Sequence, residues 1–294
     1  MMLIYHGIDQ KGSTKFNSRF ISQDYFDKQL AYFKAHFNVI TLEEYYNREF
    51  DHNRLNLCLT FDDGYLNNLK YALPVLEKHQ IPAAFYITTI RSKDYDHLWA
   101  DYLDMAAFTS NSAVDVNGER FVKGAHGEYY SSETGISMKI TCKNKNFKWK
   151  DACMRAMSPS FKENHHLDDY WKLMDEKDIQ KLDESDLVTI GSHGQLHDCL
   201  GVIELPDACA DIQNSKDYLE SVTGHKIDSI AFPDGSYTRE VVDFCDSIGL
   251  EKQLAVGYLF NEDHADKRLV ERFGINPYIS WHNQMNCILK HKYL

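Results

Sequence analysis

One stretch, Leu57-Cys58-Leu59-Thr60-Phe61-Asp62-Asp63-Gly64-Tyr65, constrains this chain more than any other. Its first five residues are almost uniformly apolar. Such a run reads as a strand buried on both faces, the kind found in parallel sheets. Helix-flanked parallel sheets place their chemistry at the carboxyl ends of the strands. Asp62 and Asp63 stand at that end. Neighbouring carboxylates repel, so such a pair takes up a cation or shares a proton. Asp-Gly is also a common turn dipeptide, and a plain turn is the competing reading.

A second stretch, Ile190-Gly191-Ser192-His193-Gly194-Gln195-Leu196-His197, also follows a short apolar run, Leu187 to Ile190. His193 and His197 share a face if the backbone is helical, and can equally converge from a loop. Alone, the pair is a weak metal signal. Beside a strand-end Asp-Asp it supplies two neutral imidazoles and a carboxylate, with positions left open for water and substrate.

Thr60-Phe61-Asp62-Asp63-Gly64 and Ser192-His193-x-x-x-His197 together resemble the first two motifs of the polysaccharide deacetylases, the NodB-homology group of carbohydrate esterase family 4. Ala231-Phe232-Pro233-Asp234-Gly235-Ser236-Tyr237 is similar to a version of the third. The resemblance covers roughly residues 1–92 and 180–280. It implies an α/β fold, a distorted (β/α)7-type barrel, as a single domain over residues 1–294 with an α+β insertion at about 93–183.

The resemblance also implies hydrolysis of an acyl group from a sugar. Asp63, His193 and His197 would hold a divalent metal that polarises the acyl oxygen and acidifies water. Zn2+ suits these donors, and Co2+, Ni2+ or Mn2+ can take the same set. Asp62 would be the general base. The Asp234 amide would help hold the oxyanion, with Tyr237 and Arg272 grouped with it at the substrate. Tyr5-His6-Gly7-Ile8 resembles a family opening whose histidine faces the pocket, so His6 is a candidate proton donor; a strand-capping histidine is the other reading. The chain departs from the family twice. Ala231 stands where an arginine is frequent, and Asp234 where an aromatic residue is frequent. The fifth motif, with its histidine acid, is not recognisable; Leu269-Val270-Glu271-Arg272 lies at its place, and His264 and His282 are the nearest histidines.

The expected partner is therefore an N-acylated sugar, nucleotide-, lipid- or oligosaccharide-linked, in O-antigen or capsule biosynthesis. Removal of a formyl group or an O-acetyl ester, and a catalytically inactive carbohydrate-binding protein, are the alternatives. Composition narrows the rest. The net charge of −12 argues against nucleic acid or an anionic membrane as partner. No apolar run approaches a membrane span. Seven cysteines without a Cys-x-x-Cys pair read as reduced thiols, and no signal peptide opens the sequence, so a cytoplasmic location is expected.

Along the chain, Ser22 caps a helix carrying Phe26, Leu30, Phe33 and Phe37, and Thr41 with Glu44 forms a capping box. Residues 9–20 read as a polar loop. A helix over Asn67–His79, kinked at Pro74, joins the Asp-Asp strand to a strand over Ile81–Ile87 as a βαβ unit. The middle carries a helix from His97, a hairpin about Asn117-Gly118, and helices around Trp149–Met157 and Tyr170–Leu182. Lys139, Lys143, Lys145, Lys148 and Lys150 form a basic cluster that reads as a solvated face, or as a contact for an anionic substrate. Helices over Ala208–Val222 and Glu240–Ser247 alternate with strands at 229–232 and 254–257, and the tail to Leu294 closes the domain.

Overall fold

The computed structural model describes residues 1–12, 17–125, 127–160 and 165–290. The main path of the nine-stranded sheet runs through β1 (Met2–Tyr5), β2 (Asn56–Phe61), β3 (Ala83–Ile87), β4 (Val188–Ser192), β5 (Ser229–Ala231), β6 (Lys252–Ala255), β7 (Leu269–Glu271) and β8 (Phe273–Gly274), and the short strand Asn38–Val39 pairs with β2 off that path. Their order is β7-β6-β5-β4-β3-β2-β1-β8, and every pairing along that path is parallel. Arg272 alone separates β7 from β8. One segment, 269–274, therefore pairs with β6 on one side and β1 on the other. It is the seventh stave, and it closes the barrel.

Alternation along each stave divides the interior. Leu57, Leu59 and Phe61 face the helical layer, with Phe26, Leu30 and Phe33 of the helix Gln23–His36. Cys58 faces the lumen, packed with Met2, Ala84, Tyr86, Ala231 and Leu254. Each fully buried Leu or Phe side chain contributes about 2–3 kcal/mol. The helix Leu42–Tyr46 plugs the amino end: Leu42 joins the lumen cluster, and the Tyr46 hydroxyl reaches the carbonyls of Gln253 and Arg268 at 3.0 and 3.1 Å. Both caps form as expected. The Ser22 hydroxyl accepts from the Tyr25 N–H, and Thr41 and Glu44 cap each other.

Between β3 and β4 the chain makes a long excursion. It contains the helix Trp99–Thr109, a three-stranded antiparallel sheet (Val114–Val116, Glu119–Lys123, Tyr129–Ser131) and the helices Met138–Lys143 and Phe147–Met157. These enclose their own apolar cluster, including Trp99, Phe121, Tyr129, Met138, Cys153 and Met157. Asn117 and Gly118 turn the hairpin, both at positive φ (50° and 86°), as an Asn-Gly type I′ turn requires.

Several local expectations shift. The single helix expected over 67–79 is a wide π turn, Asn68–Ala72, followed by an α-helix, Leu73–His79. Pro74 sits in the first turn of the second part, where its missing N–H is harmless. The helix expected from Tyr170 begins only at Glu176, because Asp175 is its cap. The strand expected at 254–257 runs over 252–255. The lysine-rich stretch contains a helix, and Lys150 in it is fully buried, which corrects the solvated-face reading there. The tail forms the helix Trp281–Lys290, and residues 291–294 of the expected closure lie outside the described residues.

Candidate active site

Both carboxylates follow β2 directly, at the carboxyl end of the barrel. The Asp62 N–H still donates to the Tyr5 carbonyl at 3.0 Å, so its side chain keeps the lumen-facing parity of Cys58 and Thr60. The chain then turns sharply: Asp63 and Gly64 both adopt positive φ, 78° and 83°. A Cβ on Gly64 would lie 2.9 Å from Ile87 Cγ2, so only glycine fits there. A non-glycine residue in the left-handed region costs about 1 kcal/mol. The turn therefore holds Asp63 in an orientation that regular backbone would not give it.

Arg272 clamps Asp62. Its Nη1 and Nη2 donate to Oδ1 and Oδ2 at 2.7 and 2.8 Å, and Nη1 also donates to the Thr60 hydroxyl at 3.0 Å. Both side chains are buried. Burial pushes the Asp62 carboxyl up, but Arg272 together with His193 and His6 outweighs it and the net shift is downward. Asp62 is thus ionised and fixed in direction.

Asp63 is held differently. Its Oδ1 lies 3.4 Å from His193 Nε2 and 3.2 Å from His197 Nε2, and its Oδ2 lies 3.2 Å from Arg19 Nη1. Neither oxygen has a hydrogen-bond donor in bonding geometry among the described residues, although both are buried. Burial pushes this carboxyl up too; Arg19 and then the two histidines hold it well below the usual range.

The histidines come from the loop after β4, not from a helix face. The His193 N–H donates to Ile87 O at 3.0 Å, and its Nδ1–H donates to Ala231 O at 2.7 Å. That bond fixes the tautomer and leaves the Nε2 lone pair facing Asp63. The loop between the histidines wraps the Asp211 carboxylate, which accepts the N–H groups of Gln195 and Leu196 at 2.7 and 2.9 Å. Gly194, at φ 71°, passes so close that a Cβ would lie 2.7 Å from Asp211 Oδ1. His197 takes φ 52°, and its carbonyl accepts the Trp99 indole N–H at 3.1 Å.

Ligand atoms of Asp63, His193 and His197 lie within 4.8 Å of one another, all buried. The donor set fits a divalent cation: a carboxylate with unspent oxygens, an imidazole of fixed tautomer, and a second imidazole. The local field agrees. Burial pushes the His193 imidazole down, yet Asp62 and Asp63 raise it overall, so the site favours positive charge.

A cavity of about 450 Å³ opens beside these groups, lined in part by Arg19, Trp99, Asp101, Lys143, His197 and Asp234. Asp234 sits at φ 53° and pairs with Lys143 at 2.8 Å, tying the excursion to the third-motif turn. Two placements differ from expectation, those of Arg272 and Tyr237, and His6 has a distinctive environment. Arg272, expected at the substrate, is buried against Asp62. Tyr237 does not line the cavity: its hydroxyl donates to Asp263 at 2.6 Å and accepts the Leu259 N–H at 3.1 Å. His6 lies in the field of Arg19, Asp63, Asp62 and His193, but burial and then Arg19 push its imidazole down to about 4. That shift favours the neutral imidazole.

The residues whose place here sequence reasoning missed are Arg19, Trp99, Asp101, Asp198 and Lys150, the last read only as one of a basic cluster. Arg19 lay in a stretch read only as a polar loop. The other four carry no motif; their significance comes from the excursion folding back on the His loop.

The polysaccharide deacetylase family model matches residues 51–131 and 144–252. No curated protein matches the sequence. Among solved structures, the chain resembles the deacetylase PplD of Streptococcus pyogenes, solved with acetate (16% identity, 97% of this chain and 96% of that one, TM-score 0.56). It also resembles IcaB of Ammonifex degensii (15%, 98% and 95%, TM-score 0.59). A third similar structure is a de-N-acetylase of Aggregatibacter actinomycetemcomitans (15%, 97% and 98%, TM-score 0.58). At these identities the likeness shows a shared fold.

Proposed function

Because this chain belongs to the polysaccharide deacetylase family, hydrolases of carbon–nitrogen bonds in carbohydrates, we propose that it removes an N-acetyl group from a sugar with the help of a divalent cation held by Asp63, His193 and His197. The observation that carries this reading is the pairing of a cation-suited trio with an adjacent carboxylate, Asp62, that is ionised, fixed, and outside the trio. When bound, the ion supplies a Lewis acid for the acyl oxygen and acidifies water. Zinc is the metal we assign, on its affinity for imidazole and carboxylate.

Asp62 takes the proton from the attacking water. Arg272 occupies one lone pair on each Asp62 oxygen, and the remaining lone pairs serve as base. With His6 neutral, the protonated Asp62 then returns that proton to the leaving nitrogen. The Asp234 amide, in the turn beside His197, is our candidate oxyanion donor.

The substrate we assign is a nucleotide-, lipid- or oligosaccharide-linked sugar of surface-polysaccharide assembly. The cavity is within the usual size of small-molecule sites. We place the activity in the cytoplasm, a reading supported by seven free thiols. No helix among the described residues is long and apolar enough to cross a membrane. The missing third-motif arginine and the missing fifth-motif histidine are what suggest a binding-only protein. Arg272, between β7 and β8, brings a guanidinium into the site, which weakens the first half of that motive.

The test is release of acetate and formate from N-acylated nucleotide sugars and chito-oligosaccharides by zinc-loaded protein, beside its Asp62→Asn variant. Acetate from the parent and not the variant is expected. Equal release by both would remove Asp62 as base, and formate alone would make the protein a deformylase.

A further inference from the structure

We infer that the excursion between β3 and β4 braces the third ligand of the cation site, so that docking of the excursion and binding of the cation are one linked equilibrium, with Trp99, Lys150 and Asp198 as positioning residues. The inference rests on reading Asp63, His193 and His197 as that site.

The three ligands are supported from different parts of the molecule. Asp63 and His193 belong to the barrel: Asp63 O accepts the Thr88 N–H at 3.4 Å, and His193 bonds Ile87 O and Ala231 O. His197 has left the barrel. Its φ of 52° lies in the left-handed region, which costs a residue with a Cβ about 1 kcal/mol.

Residues 197 and 198 receive three ties, all from the excursion. The Trp99 indole N–H donates to His197 O at 3.1 Å. The Phe147 N–H donates to Asp198 Oδ2 at 3.0 Å. Lys150 Nζ donates to Asp198 Oδ1 at 2.5 Å. Trp99 and Phe147 are the first residues of their helices, so the Phe147 N–H is one that no helical carbonyl can satisfy. Asp198 caps it, at a helix end that favours negative charge.

The lysine is the telling group. Its side chain is 0% exposed and that of Asp198 4%. Desolvating an ion pair generally costs more than a well-packed apolar pair would. Overall stability therefore does not account for it, whereas fixing one backbone geometry does. Lys150 Nζ also stands 5.0 Å from the centre of the Trp99 ring, so the two helices act on His197 and Asp198 as one unit. Whatever the docked excursion adds to cation affinity, the cation adds back to docking.

Two variants test this. Trp99→Phe keeps the ring and removes the N–H. Lys150→Met with Asp198→Asn removes both charges without stranding either. The readouts are zinc affinity by chelator competition and hydrogen exchange of the helices Trp99–Thr109 and Phe147–Met157, with and without zinc. Zinc should slow exchange in both helices of the parent. Both variants should bind zinc about 10- to 100-fold more weakly, the usual effect of removing a ligand's support, and show less zinc-dependent protection. A merely structural role would lower the apo melting temperature and leave zinc affinity unchanged. Unchanged affinity in both folded variants, or zinc-independent exchange in the parent, would overturn the inference. A parent that binds no zinc would instead overturn the cation site itself.

Discussion

Asp62 and Asp63 are covalent neighbours held in opposite ways. Asp62 continues the strand, and its two oxygens meet a planar guanidinium at 2.7 and 2.8 Å. Asp63 leaves the strand through a left-handed turn, and its oxygens face cationic or imidazole nitrogens at 3.2 to 3.4 Å without hydrogen-bond geometry. Burial opposes ionisation of both, and nearby positive charge wins at both. The difference lies in what is left over. Arg272 fixes where Asp62 points, whereas Asp63 keeps its lone pairs unspent toward two imidazoles. Backbone conformation and partner geometry alone thus set two identical side chains in different states, and the proposed function gives them separate tasks.

The largest expected effects separate the two. Asp63→Asn should lower zinc affinity by about 100-fold or more and abolish turnover, since it removes a ligand and its charge. Asp62→Asn should leave zinc affinity within about 3-fold and lower kcat by roughly 10²- to 10⁴-fold, the usual contribution of a general base. Equal loss of zinc in both variants would break the division. Chelator competition and acetate release decide it.

Arg272→Met should come next. It strands a buried carboxylate, at a cost of about 3–5 kcal/mol in denaturant unfolding. It also shifts the pH profile. Arg272 lowers the Asp62 pKa, and activity needs the ionised form, so the parent loses activity as pH falls through that lowered value. The variant should lose it at higher pH. Linkage runs the same way. A depressed carboxyl stabilises the fold above its unfolded value near 3.8, and that contribution is lost as pH falls through the folded value. Below pH 4 the variant's melting temperature should therefore fall less steeply than the parent's. A parallel fall would show that Arg272 does not set this pKa.

The smallest effect tests the edge of the site. Tyr237→Phe removes a bond to Asp263 and should cost about 1–2 kcal/mol in unfolding, with kcat/KM unchanged. A loss in kcat/KM at full stability would return Tyr237 to the substrate.

The barrel was legible because its signals are local and repeated. Apolar runs ending in Asp-Asp-Gly or Ser-His, with caps at Ser22 and Thr41, mark strands and helix ends where the structure has them. The cation trio was legible for the same reason, since each ligand sits in a short motif after a strand. The partner of Asp62 was not. Arg272 follows it by 210 residues and stands where a different motif was sought. Nor was the buried state of Lys150, because neighbouring lysines at 143, 145 and 148 are exposed and nothing local distinguishes it. Tyr237 matched its motif, but a motif does not say which way a hydroxyl turns.

The split seventh stave bears on how the molecule comes into being. A ribosome delivers the amino end first, so β1 waits with an unsatisfied edge until Phe273 arrives to meet Leu3. Such distant pairing is slow to form and leaves a growing chain exposed to wrong partners. The residue between β7 and β8 is also the one that steadies Asp62. A nascent chain that ends between positions 198 and 271 already carries Asp62, Asp63, His193 and His197, yet Asp62 lacks its guanidinium partner and β1 presents an open edge. Closure of the barrel and pairing of Asp62 thus both wait on the same last stave.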